Sequence, residues 1–127
     1  MAKRGSQSQH DQIVQDVYNH LISEGYKNVK AALKGFPQPN LVYWGSTGKG
    51  HIPDVTARWN GTSAIFEVET GDSVFDQHTE DQWRLFAANA AQYGKTFMVV
   101  IPKGSEASAK SRLAQLGIQA AEVWTVA

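Results

Sequence analysis

The chain has 127 residues, 42% of them hydrophobic, and its 12 Lys and Arg balance its 12 Asp and Glu. This size and composition fit one globular domain with a packed core, and the absence of cysteine excludes disulfides and thiolate metal sites. The first residues lack the apolar segment of a signal peptide, and no apolar run is long enough to cross a bilayer. We therefore expect a cytoplasmic protein with no membrane partner.

The charged residues are distributed unevenly along the chain. Residues 1–53 carry six basic against three acidic side chains, residues 82–127 carry five against two, and residues 54–81 carry one against seven. A net charge of zero taken alone argues against nucleic-acid binding. The uneven distribution is typical of an acidic site with basic surface around it, but scattered charge with an acidic helix start explains it equally well.

The hydrophobic periodicity predicts a mixed α/β domain over residues 10–127, preceded by a flexible tail over residues 1–9. In chain order, we expect a helix over 10–24, strands over 28–33, 41–44, 51–59 and 62–70, a helix over 79–93, a strand over 95–101, a helix over 105–116 and a strand over 118–126. The chain shows no internal repeat and no long linker.

The segment Gly-Ser-Thr-Gly-Lys-Gly at residues 45–50 looks like a phosphate-binding loop. A Walker A loop has two more residues before its Gly-Lys, a Ser or Thr after the Lys, and a helix next. Here Gly50 follows Lys49, and Pro53 and a strand come next. We instead predict an exposed loop in which Ser46 and Lys49 contact a backbone phosphate. His51 is a further candidate for this contact, although an exposed loop position also explains it.

The Asn60-Gly61 pair lies between two strand-like runs and predicts a β-hairpin with a two-residue type I′ turn. Such a turn fixes the register, so that Asp54 lies opposite Glu67. Glu69 is two residues further along and shares their face of the sheet. The opposite face is predicted to be core and consists of Val55, Ala57, Trp59, Ala64, Phe66 and Val68.

The three carboxylates on one face of this hairpin need an explanation, because like charges opposed across a strand pair are destabilising. A bound cation, a shared proton or separation into solvent would relieve the repulsion. Mg²⁺ is held by one or two carboxylates together with water and substrate phosphates. The pattern therefore favours a Mg²⁺ site at Asp54 and Glu67, which Mn²⁺ would also occupy. A solvated hairpin end, or a bulge that changes the register, is the alternative.

The Pro53-Asp54 pair, twelve further residues and then Glu-Val-Glu at the end of an apolar strand resemble the PD-(D/E)XK nuclease superfamily. The helix before Gly25 and the Ser/Gly-rich loop before Pro53 resemble in particular the small archaeal Holliday-junction-resolvase-like members. The resemblance covers residues 10–101 approximately. It implies a restriction-endonuclease-like core, in which helices flank a central mixed sheet, and catalytic roles for Asp54, Glu67 and Glu69.

Two positions depart from the family pattern. Glu69 stands where the family usually has Lys, although some restriction enzymes of the superfamily also carry Glu there; Lys49 is a candidate for the missing cation. Many relatives supply a Glu from the first helix, and the equivalent position here falls near Gln15. Gln82 and Phe86 match a Gln-bearing motif on the following helix. Gln82 is therefore either a catalytic residue of the site or part of a helix cap, since Thr79 and Gln82 also fit a helix-capping box.

The resemblance implies a Mg²⁺-dependent DNA nuclease, with a structure-selective endonuclease of the Holliday-junction-resolvase type as the narrower expectation and a homodimer as its assembly. Such an enzyme positions a water molecule and neutralises the charge that develops on the phosphate. Two alternatives stay open from the residues alone. One is a nucleic-acid-binding domain that keeps the fold without catalysis, and the other is a structural protein whose acidic residues form a solvated edge.

Overall fold

The computed structural model describes residues 6–118 and 121–126. These residues form an α/β domain with helices α1 (Ser6–Ser23), α2 (Gln77–Tyr93) and α3 (Glu106–Gln115) and strands β1 (Lys27–Ala31), β2 (Val42–Tyr43), β3 (Gly50–His51), β4 (Val55–Trp59), β5 (Thr62–Val68), β6 (Thr96–Pro102) and β7 (Ala121–Val126). The predicted order of elements is confirmed except that the predicted strand over 51–59 is divided into β3 and β4, and the ends of the other elements differ by a few residues. Helix α1 begins at Ser6, so residues 6–9 are helical and do not belong to a tail; residues 1–5 of the predicted tail lie outside the described residues.

Five strands form the central sheet in the order β1-β4-β5-β6-β7. The pairs β1–β4 and β4–β5 are antiparallel, whereas β5–β6 and β6–β7 are parallel. Parallel neighbours require a crossover connection, and α2 and α3 provide the two crossovers. The sheet is therefore mixed, as predicted, and the carboxyl ends of β5, β6 and β7 lie along one edge.

Strands β2 and β3 form a separate small hairpin, in which Val42 pairs with His51 and Tyr43 with Gly50. The sequence predicted one continuous strand over 51–59, but the structure ends β3 at His51 and begins β4 at Val55. Pro53 lies in the break, where its missing amide cannot donate to a strand ladder. The Walker-like segment is thus the turn of a hairpin and leads into a strand, as its mismatches to a nucleotide-binding loop indicated.

The core lies on both faces of the central sheet. Helix α1 covers one face with Ile13, Val14, Val17 and Leu21, which meet Val55, Ala57, Ala64, Phe66 and Val68 of the hairpin. Helices α2 and α3 cover the other face, where the buried cluster includes Ile65, Trp83, Phe86, Phe97 and Leu113. The prediction that Trp59 is core is wrong: it lies at the strand end beside the turn, is 46% exposed, and packs its ring 4.9 Å from that of Tyr26. Within the described part of the chain, no helix is long and apolar enough to span a bilayer.

Candidate active site

The β4–β5 hairpin has the predicted turn and register. Asn60 and Gly61 have φ values of 51° and 82°, as both central residues of a type I′ turn require. Trp59 pairs with Thr62 and Val55 with Phe66. Asp54 immediately precedes β4, and its backbone amide donates a hydrogen bond of 3.1 Å to Oε1 of Glu67. The hairpin therefore brings these two acidic residues together at the carboxyl end of β5.

The Asp54 carboxylate is held by groups from two different elements. Its Oδ2 accepts a hydrogen bond of 2.8 Å from the backbone amide of Val68 and lies 3.3 Å from Nε2 of His10 on α1. The other ring nitrogen of His10, Nδ1, lies 3.2 Å from Oδ1 of Asp11. A protonated imidazole donates from both nitrogens, so His10 joins two carboxylates and ties α1 to the hairpin.

The Glu69 side chain is anchored by the loop and helix that follow β5. Its Oε1 accepts a hydrogen bond from the hydroxyl of Ser73, and the hydroxyl of Thr79 lies 3.3 Å away. Thr79 also donates to the carbonyl oxygen of Ser73 at 2.8 Å. The predicted capping box is therefore wrong, because α2 begins at Gln77 after Asp76. Thr79 lies inside the first turn of the helix, where its hydroxyl faces Glu69.

Glu67 and Glu69 are buried carboxyl groups, with 2% and 6% of their surface exposed. Burial, followed by the negative charges of Asp54 and Glu69, raises the pKa of Glu67 well above its usual value. Burial also raises the pKa of Glu69 to about 7, although the hydrogen bond from Ser73 opposes this increase. The folded chain thus holds its carboxylates where ionisation is unfavourable.

His10 partly compensates this negative charge. Burial lowers the pKa of His10, but the hydrogen bond to Asp54 and its charge, together with the hydrogen bond to Asp11 and the charge of Glu69, outweigh burial and raise the pKa to about 9. Among the described residues, His10 is the one basic side chain within ion-pair distance of Asp54, Glu67 or Glu69. Three carboxylates therefore face a single cation.

The fit of this cluster to a metal ion depends on the number of ligands required. No group of three or more His, Asp or Glu side chains in the described ranges is arranged to hold a metal ion. Mg²⁺ needs less from the protein, because it is often bound by one or two carboxylates with water and substrate phosphates as the other ligands. Asp54 and Glu67 are oxygen donors of this kind, and a cation would offset the repulsion that contributes to the raised pKa of Glu67. A two-carboxylate Mg²⁺ site fits these residues.

Two other helix residues, Gln15 and Gln82, were predicted to join the site, and none of the described hydrogen bonds links either of them to the carboxylates. Gln15 is exposed and lies five residues after His10, about 140° around the helix axis. His10 occupies the place on α1 that was expected for Gln15. Gln82 is half-buried on α2, three residues after Thr79, and forms no hydrogen bond with the carboxylates within the described part of the molecule.

The three predicted nucleic-acid contacts lie on the small β2–β3 hairpin. Ser46 and Lys49 are exposed in its turn, and His51 lies in β3 with its ring 5.3 Å from that of His78. Burial, together with the positive charge of His78, lowers the pKa of His51. Lys49 and His51 border a cleft of about 280 Å³ beside α2. No described contact joins them to the carboxylates, so Lys49 does not replace the missing family Lys by an ion pair.

Sequence reasoning missed three residues of the site, namely His10, Ser73 and Thr79. His10 precedes Val14, Val17 and Leu21 at spacings of four, seven and eleven residues, so it continues the buried stripe of α1. A titratable side chain at the end of an apolar stripe was the available signal. No comparable signal exists for Ser73, because its position depends on how the loop after β5 folds.

No protein-family model matches this chain, and neither a curated protein nor a solved structure shows significant similarity to it. The resemblance to the PD-(D/E)XK superfamily consequently stays a prediction from the motif.

Proposed function

We propose that this chain is a metal-dependent nuclease that hydrolyses phosphodiester bonds of DNA and has a restriction-endonuclease-like core. The observation that carries the proposal is the convergence of Asp54, Glu67 and Glu69 at the carboxyl edge of the sheet, with His10 as the one nearby described cation. Carboxyl groups whose pKa values are strongly shifted by burial and nearby charges occur at functional sites more often than expected by chance. The motif at Pro53-Asp54 and Glu67-Val68-Glu69 gives this site its reaction class.

Asp54 and Glu67 are the residues that would hold Mg²⁺ or Mn²⁺. When bound, such an ion lowers the pKa of a coordinated water and neutralises charge on the phosphate oxygens. The chain itself orients both ligands: the Val68 amide and His10 fix Asp54, and the Asp54 amide fixes Glu67. Side chains locked in this way need no reorganisation when a substrate phosphate arrives.

Glu69 is suited to proton exchange, because a pKa of about 7 allows both of its protonation states near neutral pH. The hydrogen bond from Ser73 fixes one of its oxygens and so sets the direction of the other. In the proposed enzyme, Glu69 orients the attacking water and accepts its proton. This role replaces the one that the resemblance would give to a Lys.

The proposal extends to the substrate and assembly. The basic chain segments on both sides of residues 54–81 would supply the salt-dependent contacts with the DNA backbone, with Ser46, Lys49 and His51 on the β2–β3 hairpin among them. We propose a cytoplasmic homodimer that recognises DNA structure, in line with the resolvase-like resemblance. Light scattering of the purified protein measures the assembly directly.

The test is cleavage of end-labelled linear duplex, single-stranded and four-way-junction DNA with Mg²⁺ or Mn²⁺. We expect Asp54→Asn and Glu67→Gln to abolish cutting while preserving shape, and the exposed-site variants Asp16→Asn and Glu122→Gln to cut like the wild type. Metal binding has a separate readout in thermal unfolding, since a ligand at a hundredfold excess over its Kd stabilises a fold by about 2.7 kcal/mol. Folded wild-type protein that neither cuts DNA nor gains stability from either metal would refute the proposal.

A second candidate is a nucleic-acid-binding domain that keeps this fold without catalysis. One observation favours it: Glu69 replaces the family Lys, and one of its oxygens is already occupied by the hydroxyls of Ser73 and Thr79. This candidate predicts DNA binding that is the same with Mg²⁺ or EDTA and is unchanged in Glu67→Gln. The cleavage and unfolding assays above separate the two functions.

A further inference from the structure

A second cleft, of about 660 Å³, lies away from the carboxylates on the face of the sheet that α2 covers. Its floor is formed by β4 and β5 near their turn, and its walls are residues 40–45 and the carboxyl-terminal half of α2. The lining residues include Lys30, Arg58 and Lys95 and no Asp or Glu. This combination of concave shape and one sign of charge favours an anionic ligand.

The basic residues of this cleft belong to none of the ion pairs in the part of the chain that the structure describes. Among the described ion pairs, none involves Lys30, Arg58 or Lys95. Arg58 donates to the hydroxyl of Ser63 and the carbonyl oxygen of Gly61, which fixes its guanidinium above the sheet. Arg58 also lies opposite Lys27 across the β1–β4 pair, and like charges in that arrangement are destabilising. A bound anion would remove this repulsion.

Aromatic rings lie at the rim of the same cleft. Tyr43 is 58% exposed, Trp44 41% and Tyr93 63%, although such side chains are usually more buried. The Nζ of Lys95 lies 5.6 Å from the centre of the Tyr93 ring, so an aromatic surface and a cation lie side by side. Proteins that bind single-stranded nucleic acid combine a basic groove with exposed rings on which bases stack.

Strand β5 carries both a part of this cleft and one residue of the carboxylate site. Ser63 and Ile65 line the cleft, and Glu67 shares their face because side chains alternate along a strand. Ser63 and Glu67 are four positions apart along β5, a distance of roughly 13 Å. The cleft and the carboxylate site therefore lie on the same face of the central sheet.

We propose that this cleft binds single-stranded nucleic acid, with Lys30, Arg58 and Lys95 contacting phosphates and with Tyr43, Trp44 and Tyr93 stacking on unpaired bases. Paired bases of a duplex have no free face to offer these rings. The inference that a single strand is delivered to the nuclease site rests on the proposed function. The inference that the cleft binds a single strand depends only on the residues of the cleft.

The test is fluorescence anisotropy of labelled oligo-dT, oligo-U and a short duplex in EDTA, where no metal-dependent cutting occurs. We expect the wild type to bind a single strand more tightly than the duplex, and the two single-stranded arms show whether DNA or RNA is preferred. Lys30→Gln should reduce the slope of log K against log salt by about 0.7, the value for one phosphate contact with a single strand. Lys110→Gln, an exposed cation on α3, should leave the slope unchanged.

The aromatic contribution is tested at Tyr93. Tyr93→Ala should weaken binding at least about fivefold by loss of one stacking ring, whereas Tyr93→Phe should retain affinity. Trp59→Ala is the matched control, because Trp59 neighbours Arg58 in sequence but faces the α1 side of the sheet, with 46% exposure. Thermal unfolding confirms that each variant is folded.

Two results would overturn the inference: equal or tighter binding of the duplex, or no difference between the cleft variants and their controls. The assays also separate this inference from the proposed function. A protein that binds oligo-dT as described but cuts no DNA with metal refutes the nuclease and keeps the cleft. A protein that cuts DNA with metal but binds equally well after Lys30→Gln and Tyr93→Ala keeps the nuclease and refutes the cleft.

Discussion

Replacing Glu69 with Gln is expected to stabilise the metal-free protein. The Glu69 carboxyl is 6% exposed and lies near two other carboxylates. Gln has almost the same shape, and its carbonyl oxygen can still accept the hydrogen bonds from Ser73 and Thr79. The substitution therefore removes a buried charge and leaves its hydrogen-bond partners satisfied, which is the favourable case for removing a buried ionic group.

The size of this effect follows from the pKa of Glu69, which rises from 4.5 to about 7 on folding. The folded state holds the proton more strongly, so the ionisation of Glu69 lowers wild-type stability as the pH rises from about 4.5 to about 7, and this contribution is constant at higher pH. Each tenfold difference in acid strength corresponds to about 1.4 kcal/mol. Glu69→Gln should therefore increase the free energy of unfolding by about 3 kcal/mol above neutral pH, or the Tm by about 10 °C, and have little effect at the acid end of the range.

The assay is thermal and urea unfolding followed by tryptophan fluorescence in EDTA, across the range from acid to slightly basic pH. Glu122→Gln, at an exposed position on β7, is the control for removing one negative charge. A variant that is less stable than the wild type above neutral pH would refute the reasoning, as would an equal gain at every pH.

Two further predictions concern the elements that hold the site. His10→Gln should destabilise the metal-free protein by about 2 kcal/mol below about pH 6.5 and by little above about pH 9. The reason is that the raised pKa of His10 makes its pairing with Asp54 stabilising at low pH, and this pairing is lost as the pH rises through about 9. Urea unfolding at both ends of this range measures the effect, and a loss of stability that is the same at every pH would contradict it. Gly71→Ala should cost about 1–3 kcal/mol, because Gly71 has a φ of 98° and a Cβ there would lie 2.7 Å from Oγ of Ser105. Gly104→Ala is its control, since Gly104 has a φ of 101° with open space around it, and an equal loss in both variants would show that the contact with Ser105 contributes nothing.

The β4–β5 hairpin shows how far local sequence can predict a structure. An Asn-Gly turn admits few backbone conformations, so the turn, the register from Val55 to Trp59 and the proximity of Asp54 to Glu67 could all be predicted. The same pattern predicted Trp59 as core and was wrong there. The alternation of side chains along a strand predicts the face on which a residue lies, but it does not predict how far a side chain at the end of the strand is buried. Helix α1 leaves the Trp59 ring half-exposed.

Predictions failed where a side chain meets a distant segment. Thr79 and Gln82 fit a local capping box, but the helix begins earlier, at Gln77, and Thr79 contacts Glu69, ten residues away. His10 and Asp54 are 44 residues apart and meet because α1 packs across the sheet. The positions of His10 and Asp54 along the chain do not by themselves predict this contact.

The sequence by itself determined the helices, most of the strands, their order and the hairpin that gathers Asp54, Glu67 and Glu69, because these depend on periodicity and on turn chemistry over a few residues. It did not determine the division of residues 51–59 between two sheets. Tertiary structure alone decided the electrostatics of the site, since burial by α1, α2 and the loop after β5 raises the pKa of both glutamates and selects His10 as their cation. It also decided the basic cleft, whose lining comes from segments as distant in sequence as Lys30 and Lys95. Charge interactions act through space and depend on burial, so the order of residues along the chain does not specify them.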